Sequence, residues 1–362
     1  MEFIFGRELN EGELYDRKNE VNTILNSYKT RQPIGVIGFR RVGKSSILNN
    51  VKYLLEKDNV LVLKFSIEGI SNLNEYSNRL IYSMLKELSK KYKLKYYKEE
   101  IKRFINKFLG SINQINIKLP DFEISLNKYN DYLENRVKVS EILENLIDLP
   151  EKLAEDLGEK IVVIIDEFQY IRKLKEPFPE ILRLMRLKFN EHINVQYMIS
   201  GSEIGIINEL LNDRNQPFYA FFRVIEILPF NKTESINFLE EGLESYNKKC
   251  DRQILEEIYN VTSGIPAWLN LAGLDLVENN CDIKYFLNDQ TYKNIIKYEL
   301  NHLTKNETSL LKELSENKKM SEINISNKYR VIKALVNRGL LIEEQNKFII
   351  TDGLIKYYLN NL

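Results

Sequence analysis

The chain has almost none of the residues that build metal or redox centres. Its 362 residues include two cysteines, Cys250 and Cys281, and two histidines, His192 and His302. The cysteines are far apart in polar, helical-looking sequence and no CxxC pair occurs, so a zinc site is not expected. A chain of this length also buries enough apolar surface to fold without a disulfide staple. Net charge is absent too: Lys+Arg and Asp+Glu each number 52. No overall basic field steers the molecule onto nucleic acid or an anionic membrane, and any such contact must come from a local patch. No apolar run approaches the ~20 residues of a membrane span. The opening MEFIFGRELNEGELYDRKNE has neither the basic start nor the apolar stretch of a secretory signal, so a cytoplasmic protein without membrane contact is expected. There is no fixed-period repeat and no low-complexity tract.

What is present is the composition of a soluble globular protein, with 43% hydrophobic and 29% charged residues, a balance that fits neither disorder nor a fibrous repeat. The length implies two or three domains. Pro33–Gly38 (PIGVIG) is a short apolar run ending in glycine, and Ser45–Leu55 follows with Ile47, Leu48, Val51 and Leu54 at helical spacing. Asn59–Ile67, Ile161–Ile165, Asn194–Ile199 and Val224–Leu228 are further strand candidates. The unbroken IVVII run suits a central parallel strand covered on both faces. Strands alternating with helices predict a parallel α/β sheet.

Between the second and third candidate strands, the stretch 72–159 is too long for a structureless loop. Residues 80–109 are expected to hold one or two Lys-rich helices, Ile115–Leu126 an exposed hairpin about Pro120 and Asp121, and Ser140–Leu157 a helix. Beyond Pro229 helices take over to about Tyr298, opening at a cap provided by Asn231 or Thr233. From Leu303 the pattern is two short helices, a helix over Asn327–Arg338, and two strand-like runs about Gln345 and Asn346, the order of a winged helix. The expected division is an α/β domain over 1–229 with an insertion at about 72–140, a helical lid over 230–300, and a winged-helix domain over 301–362.

The segment Gly38-Phe39-Arg40-Arg41-Val42-Gly43-Lys44-Ser45 satisfies GxxxxGK[ST] between a strand and a helix, the context a phosphate-binding loop requires. Glycines let successive backbone N–H groups turn inward on phosphate, and the helix that begins near Lys44 and continues through Ser46 adds its positive end. Lys44 is expected on the β- and γ-phosphates of ATP, and the Ser45 hydroxyl on Mg²⁺. The run IVVIIDEFQ places Asp166 and Glu167 at the carboxyl end of a central strand, where open α/β sheets bind ligands. Asp166 suits Mg²⁺ through its water shell, and Glu167 suits polarisation of the attacking water.

Ser200 and Ser202 end the next strand, beside the γ-phosphate, where they suit sensing of nucleotide state as well as they suit a plain turn. Arg223, and less so Arg214, are candidates to neutralise transition-state charge, in the same chain or from a neighbouring one. Gly264-Ile-Pro266-Ala-Trp268 interrupts the helical lid with a rigid turn, and Pro266 is a candidate adenine contact while the indole suits a core position. Lys328, Arg330 and Lys333 on the last candidate helix could grip nucleic-acid phosphates, although Glu322, Glu343, Glu344 and Asp352 dilute that charge.

With these motifs in order, nearly the whole chain resembles the archaeal ATPase family, AAA+-like STAND P-loop NTPases with a C-terminal winged helix. The resemblance includes an opening box, here Leu14-Tyr15-Asp16-Arg17-Lys18-Asn19-Glu20-Val21, and implies adenine and domain-packing roles for Tyr15 and Arg17. It also implies that the Gly264–Pro266 turn contacts nucleotide from the lid. Family members carry Gly-Arg before the fifth strand; this chain reads Ala-Phe-Phe-Arg223, matching the arginine and not the glycine. The expected function is a slow Mg²⁺-dependent ATPase acting as a conformational switch on a protein partner. The rivals are a DNA-associated motor or loader that oligomerises, and a nucleotide-stabilised module that never turns over.

Overall fold

A strand that is apolar at every position needs cover on both faces, and the central sheet supplies it. The computed structural model describes residues 1–10, 12–92, 115–119, 122–126, 136–174 and 179–362. Five strands, β1 (Ile34–Ile37), β2 (Leu61–Ser66), β5 (Ile161–Asp166), β6 (Val195–Gly201) and β7 (Arg223–Glu226), form one sheet in the order β2-β5-β6-β1-β7. Every neighbouring pair is parallel. Residues of β5 feed two cores alternately. Ile161, Val163 and Ile165 join one cluster with Leu63, Tyr197 and Phe218. Val162 and Ile164 join another with Ile47, Val51 and Leu55 of the Lys44–Lys57 helix. The sequence signal was an uninterrupted run for this reason: each face of the strand is buried.

The hairpin expected at 115–126 forms as β3 (Ile115–Leu119) paired antiparallel with β4 (Phe122–Leu126), while its turn residues Pro120 and Asp121 lie outside the described residues. The helix expected to begin at Leu80 begins earlier, spanning Leu73–Tyr92, and the remainder of that expectation, 93–109, also lies outside them. A longer helix than foreseen, Arg136–Leu157, precedes β5.

A third core gathers the C-terminal helices, with Trp268, Tyr292 and Phe286 fully buried among Leu269, Leu310 and Leu354. Phe3, from the start of the chain, is buried in this core and not against the sheet. Asn231 opens the Lys232–Ser245 helix with a capping box closed by Glu234, which satisfies two otherwise unpaired backbone donors. After Leu303 one short helix, Lys305–Ser315, forms where two were expected. The second shortens to a turn at 320–322, directly before Ile323, which is buried in the core. The Lys328–Asn337 helix and the antiparallel ribbon β8 (Leu341–Glu344) and β9 (Lys347–Ile350) follow, and a further helix, Gly353–Asn360, was not foreseen.

Contrary to the expectation of an unstapled chain, Cys250 and Cys281 form a disulfide across Cα atoms 5.4 Å apart. Cys250 precedes the Arg252–Thr262 helix and Cys281 sits in the turn after the Pro266–Glu278 helix. Helix packing, invisible in the spacing, brings those ends together.

Candidate functional site

In a parallel sheet all strands end on one edge, and the conserved chemistry of such folds collects there. Gly43 takes φ +97° as the residue before the Lys44–Lys57 helix, a left-handed conformation that glycine adopts without penalty. The loop it closes curls so that the Lys44 ammonium, only 5% exposed, donates to the carbonyl of Phe39 at 2.8 Å. Burial pushes this ammonium below the usual lysine range, against the pull of Glu167 and Asp166.

Side-chain alternation along β5 aims Asp166 at the same face as Val162 and Ile164, towards the phosphate-loop helix. There the Ser45 hydroxyl donates to Asp166 Oδ2 at 2.8 Å, and the Ser200 hydroxyl donates to Oδ1 of the same carboxylate. Glu167 follows with φ +56°, and its Oε2 accepts from the Ser202 hydroxyl at 2.7 Å. The two serines at the end of β6 thus address the two acids at the end of β5 one for one. The metal donor set is small: among the described residues no group of three or more His, Cys, Asp and Glu side chains could hold an ion. One hydroxyl and one carboxylate fit Mg²⁺, which keeps several waters and takes further oxygens from substrate phosphates.

Arg40, Arg41, Gly43, Lys44, Ser45 and Ser46 line a cavity of about 540 Å³ with Glu167 and Ser202. Its far wall comes from Pro266, Ala267 and Asn270 of the Pro266–Glu278 helix, and from Glu299. A third wall was not legible: residues Ile4 to Leu9 cross the cavity. They are held by Ile4 N–H on Asn270 Oδ1 at 2.6 Å and Leu9 N–H on Ser46 Oγ at 3.1 Å. The apolar run FIF beside a glycine carried no signal of this position.

Arg41 faces away from the sheet. Its guanidinium bonds Glu299 at 2.7 Å, stands 3.5 Å from Asp352 and lies 4.5 Å over the Trp268 ring. Asp352 also accepts from Trp268 Nε1 at 2.9 Å and from the N–H groups of Leu354 and Ile355, capping the last helix. Burial raises its carboxyl above the usual range, while Arg41 opposes the rise. Arg40 reaches Glu299 at 3.4 Å and Glu203 at 3.9 Å.

Other candidates lie elsewhere. Arg223 pairs in register with Ile34, at the edge where β1 begins, and reaches Ser27. A four-residue strand puts it roughly 13 Å from the phosphate loop, so within one chain the parallel register excludes it from the phosphates. Tyr15 donates to Glu241 at 3.0 Å and packs on Phe230 and Phe238. Arg17 donates to the Leu228 carbonyl at 2.7 Å and lies over Phe230. Neither lines the cavity, and both tie the sheet to the C-terminal helices. Phe39 and Val42 are set back from it, Val42 in the core beneath the loop. Lys328 donates to the Met320 carbonyl, while Arg330 and Lys333 are exposed on their helix beside Tyr329. Among the described residues, no helix is long and apolar enough to cross a membrane.

No curated protein sequence matches the chain. In structure it is similar to the Walker-type ATPase of Pyrococcus abyssi, with 23% identity over 99% of both chains and a TM-score of 0.72. It is also similar to the ORC2 protein of Aeropyrum pernix in its ADPNP–ADP complexes, with 14% identity, 98% and 96% coverage and a TM-score of 0.54. These likenesses concern the fold. Residues 14–271 match the family described as an ATPase domain predominantly from Archaea, and the chain, with its phosphate loop and acidic strand end in place, belongs to that family of P-loop ATPases.

Proposed function

We propose that this protein is a Mg²⁺-dependent ATPase that uses its nucleotide as a switch on the C-terminal helices. The observation that carries the reading is the double engagement of Arg41: it belongs to the phosphate loop and is held by Glu299, Asp352 and Trp268 from three separate helices or helix ends. Bound phosphate brings negative charge to a loop whose arginines are already paired with carboxylates. Nucleotide and C-terminal helices therefore compete for Arg40 and Arg41, and each affects how tightly the other is held.

In the catalytic cycle Lys44 and the loop N–H groups bind the β- and γ-phosphates. Ser45 and Asp166 would hold Mg²⁺, which would supply neutralisation of phosphate charge. Glu167 accepts a proton from water as its oxygen attacks the γ-phosphorus and the bond to the bridging oxygen breaks, giving ADP and phosphate. Pro266 closes on the base from the lid. The 301–362 segment, read as a winged helix, carries the response.

A second reading, a DNA-linked motor, draws on the exposed Tyr329, which is 82% accessible, with Arg330 and Lys333 on the same helix. Steady-state phosphate release with and without duplex DNA, beside native mass in ATP, separates the two. The switch predicts turnover indifferent to DNA and a constant mass, whereas DNA stimulation that falls steeply with salt favours the motor. Glu167→Gln is expected to lower hydrolysis by on the order of 10³-fold while ATP still binds. Unchanged phosphate release in that variant would instead leave a module that binds without turnover.

A further inference from the structure

We propose that Gln169 is a positioning residue for hydrolysis: together with Ser202 it grips one oxygen of the Glu167 carboxylate and leaves the other turned to the attacking water. The proposal rests on the reading of Glu167 as the base.

Oε2 of Glu167 receives two donors, the Ser202 hydroxyl at 2.7 Å and the Gln169 side-chain amide. The amide must present its NH₂ here, because its carbonyl would face a carboxylate. Gln169 is 3% exposed. It lies in the short 3₁₀ turn Phe168–Leu174, whose Phe168, Ile171 and Leu174 are fully buried in the sheet core. Its backbone therefore has no freedom to follow a wandering side chain. The clamp also joins two strands, since Glu167 and Gln169 follow β5 while Ser202 follows β6.

Two costs attend this arrangement, and packing explains neither. The buried Oε1 of Gln169 has no hydrogen-bond partner, a cost that a leucine of similar size would not incur. Glu167 itself sits at φ +56°, unfavourable for a residue with a Cβ. The two costs meet at one carboxylate, the combination expected where function and not packing selects a residue. Gly201 completes the case. A Cβ there would come within 2.8 Å of Gln169 Oε1 and 3.0 Å of Ile207, so the glycine between the two serines makes room for the amide.

The chemical consequence is geometric. A carboxylate held at one oxygen has its free lone pairs in a defined direction, and small losses of such alignment cost large factors in rate. Gln169 does not line the nucleotide cavity, unlike Glu167 and Ser202, so its loss should spare binding.

The test is phosphate release and ATP affinity on the full chain. Gln169→Leu is expected to lower kcat by about 10²-fold with KM and the ATP dissociation constant changed by no more than roughly twofold. Gln169→Glu, close in shape, sets a second carboxylate against Glu167 and should lose as much, which guards against misfolding of the leucine variant. In a Glu167→Gln background Gln169→Leu should cause no additional loss, because the group being positioned is gone. Retained kcat in both single variants, or an equal loss in both backgrounds, would overturn the clamp. Unchanged hydrolysis in Glu167→Gln alone would remove the base and the clamp together, a result distinct from failure of the clamp with Glu167 still essential.

Discussion

The sheet edge and the C-terminal helices build one cavity by opposite means. The sheet contributes neighbouring residues: Arg40, Arg41 and Gly43 to Ser46 from a single loop, and Glu167 from one strand end, with Asp166 beside it on Ser45. The helices contribute isolated residues, Pro266 and Asn270 from one, Glu299 from another, and Asp352 behind them at the start of a third. The groups at the sheet edge face the open cavity. Those in the helices mostly hold other protein groups, as Asp352 holds Trp268 and Arg41. On the proposed reading, the difference teaches that phosphate chemistry sits on the rigid element and its control on the element that can move.

Substitutions should divide along the same line. The largest effect is expected from Lys44→Ala, which removes a buried charge-assisted contact to phosphate and should weaken ATP binding by about 10²- to 10³-fold by calorimetry. It should leave thermal stability unharmed, since burial already penalises that ammonium. A large drop in Tm without a loss of affinity would erase the distinction between the two regions.

On the helical side the effects should appear in stability. The Cys250–Cys281 bridge closes a loop with a separation of 31 residues, for which chain entropy suggests about 3–4 kcal/mol. Cys250→Ser should lower the unfolding free energy by that order in oxidising buffer and by almost nothing after reduction. Equal stability of both proteins in oxidising buffer would show that the helices need no staple.

The smallest expected effect is a pH dependence. Burial, with the neighbouring Asp289 carboxylate, lifts Asp275 from its ordinary 3.8 to about 7. Between those values the folded chain holds a proton that the unfolded chain has released, so stability falls as pH rises across the window. Asp275 is partly exposed, and solvent screening reduces the effect to about 1 kcal/mol, or roughly 3 °C in Tm. Asp275→Asn should flatten that slope as followed by calorimetry from pH 4 to pH 7, and a slope unchanged in the variant would assign the dependence elsewhere.

How far the sequence could be read follows from the range of each signal. The phosphate loop was legible because a glycine turn, a lysine and a hydroxyl must be adjacent in the chain to surround one phosphate. The acidic strand end was legible because burial on both faces makes β5 a run of apolar residues that stops at Asp166. The role of Arg223 within its own chain fails for the complementary reason, while its role from a neighbouring chain is untouched by the register. Being next to a strand says nothing about which end of the sheet that strand begins at, and the parallel register puts it opposite the loop. Tyr15 and Arg17 were noticed, yet their partners Glu241, Leu228 and Phe230 lie more than two hundred positions away.

By itself, then, the sequence determined a P-loop ATPase with a parallel sheet and pointed to the loop and strand end that the fold brings together, since local spacing and backbone conformation dictate them. Only the tertiary structure decided that Arg41 answers to Glu299 and Asp352, that residues Ile4 to Leu9 wall the cavity, and that Gln169 grips Glu167. Each of these depends on which surfaces of distant helices pack together, and packing is a property of the assembled core and not of any stretch of chain.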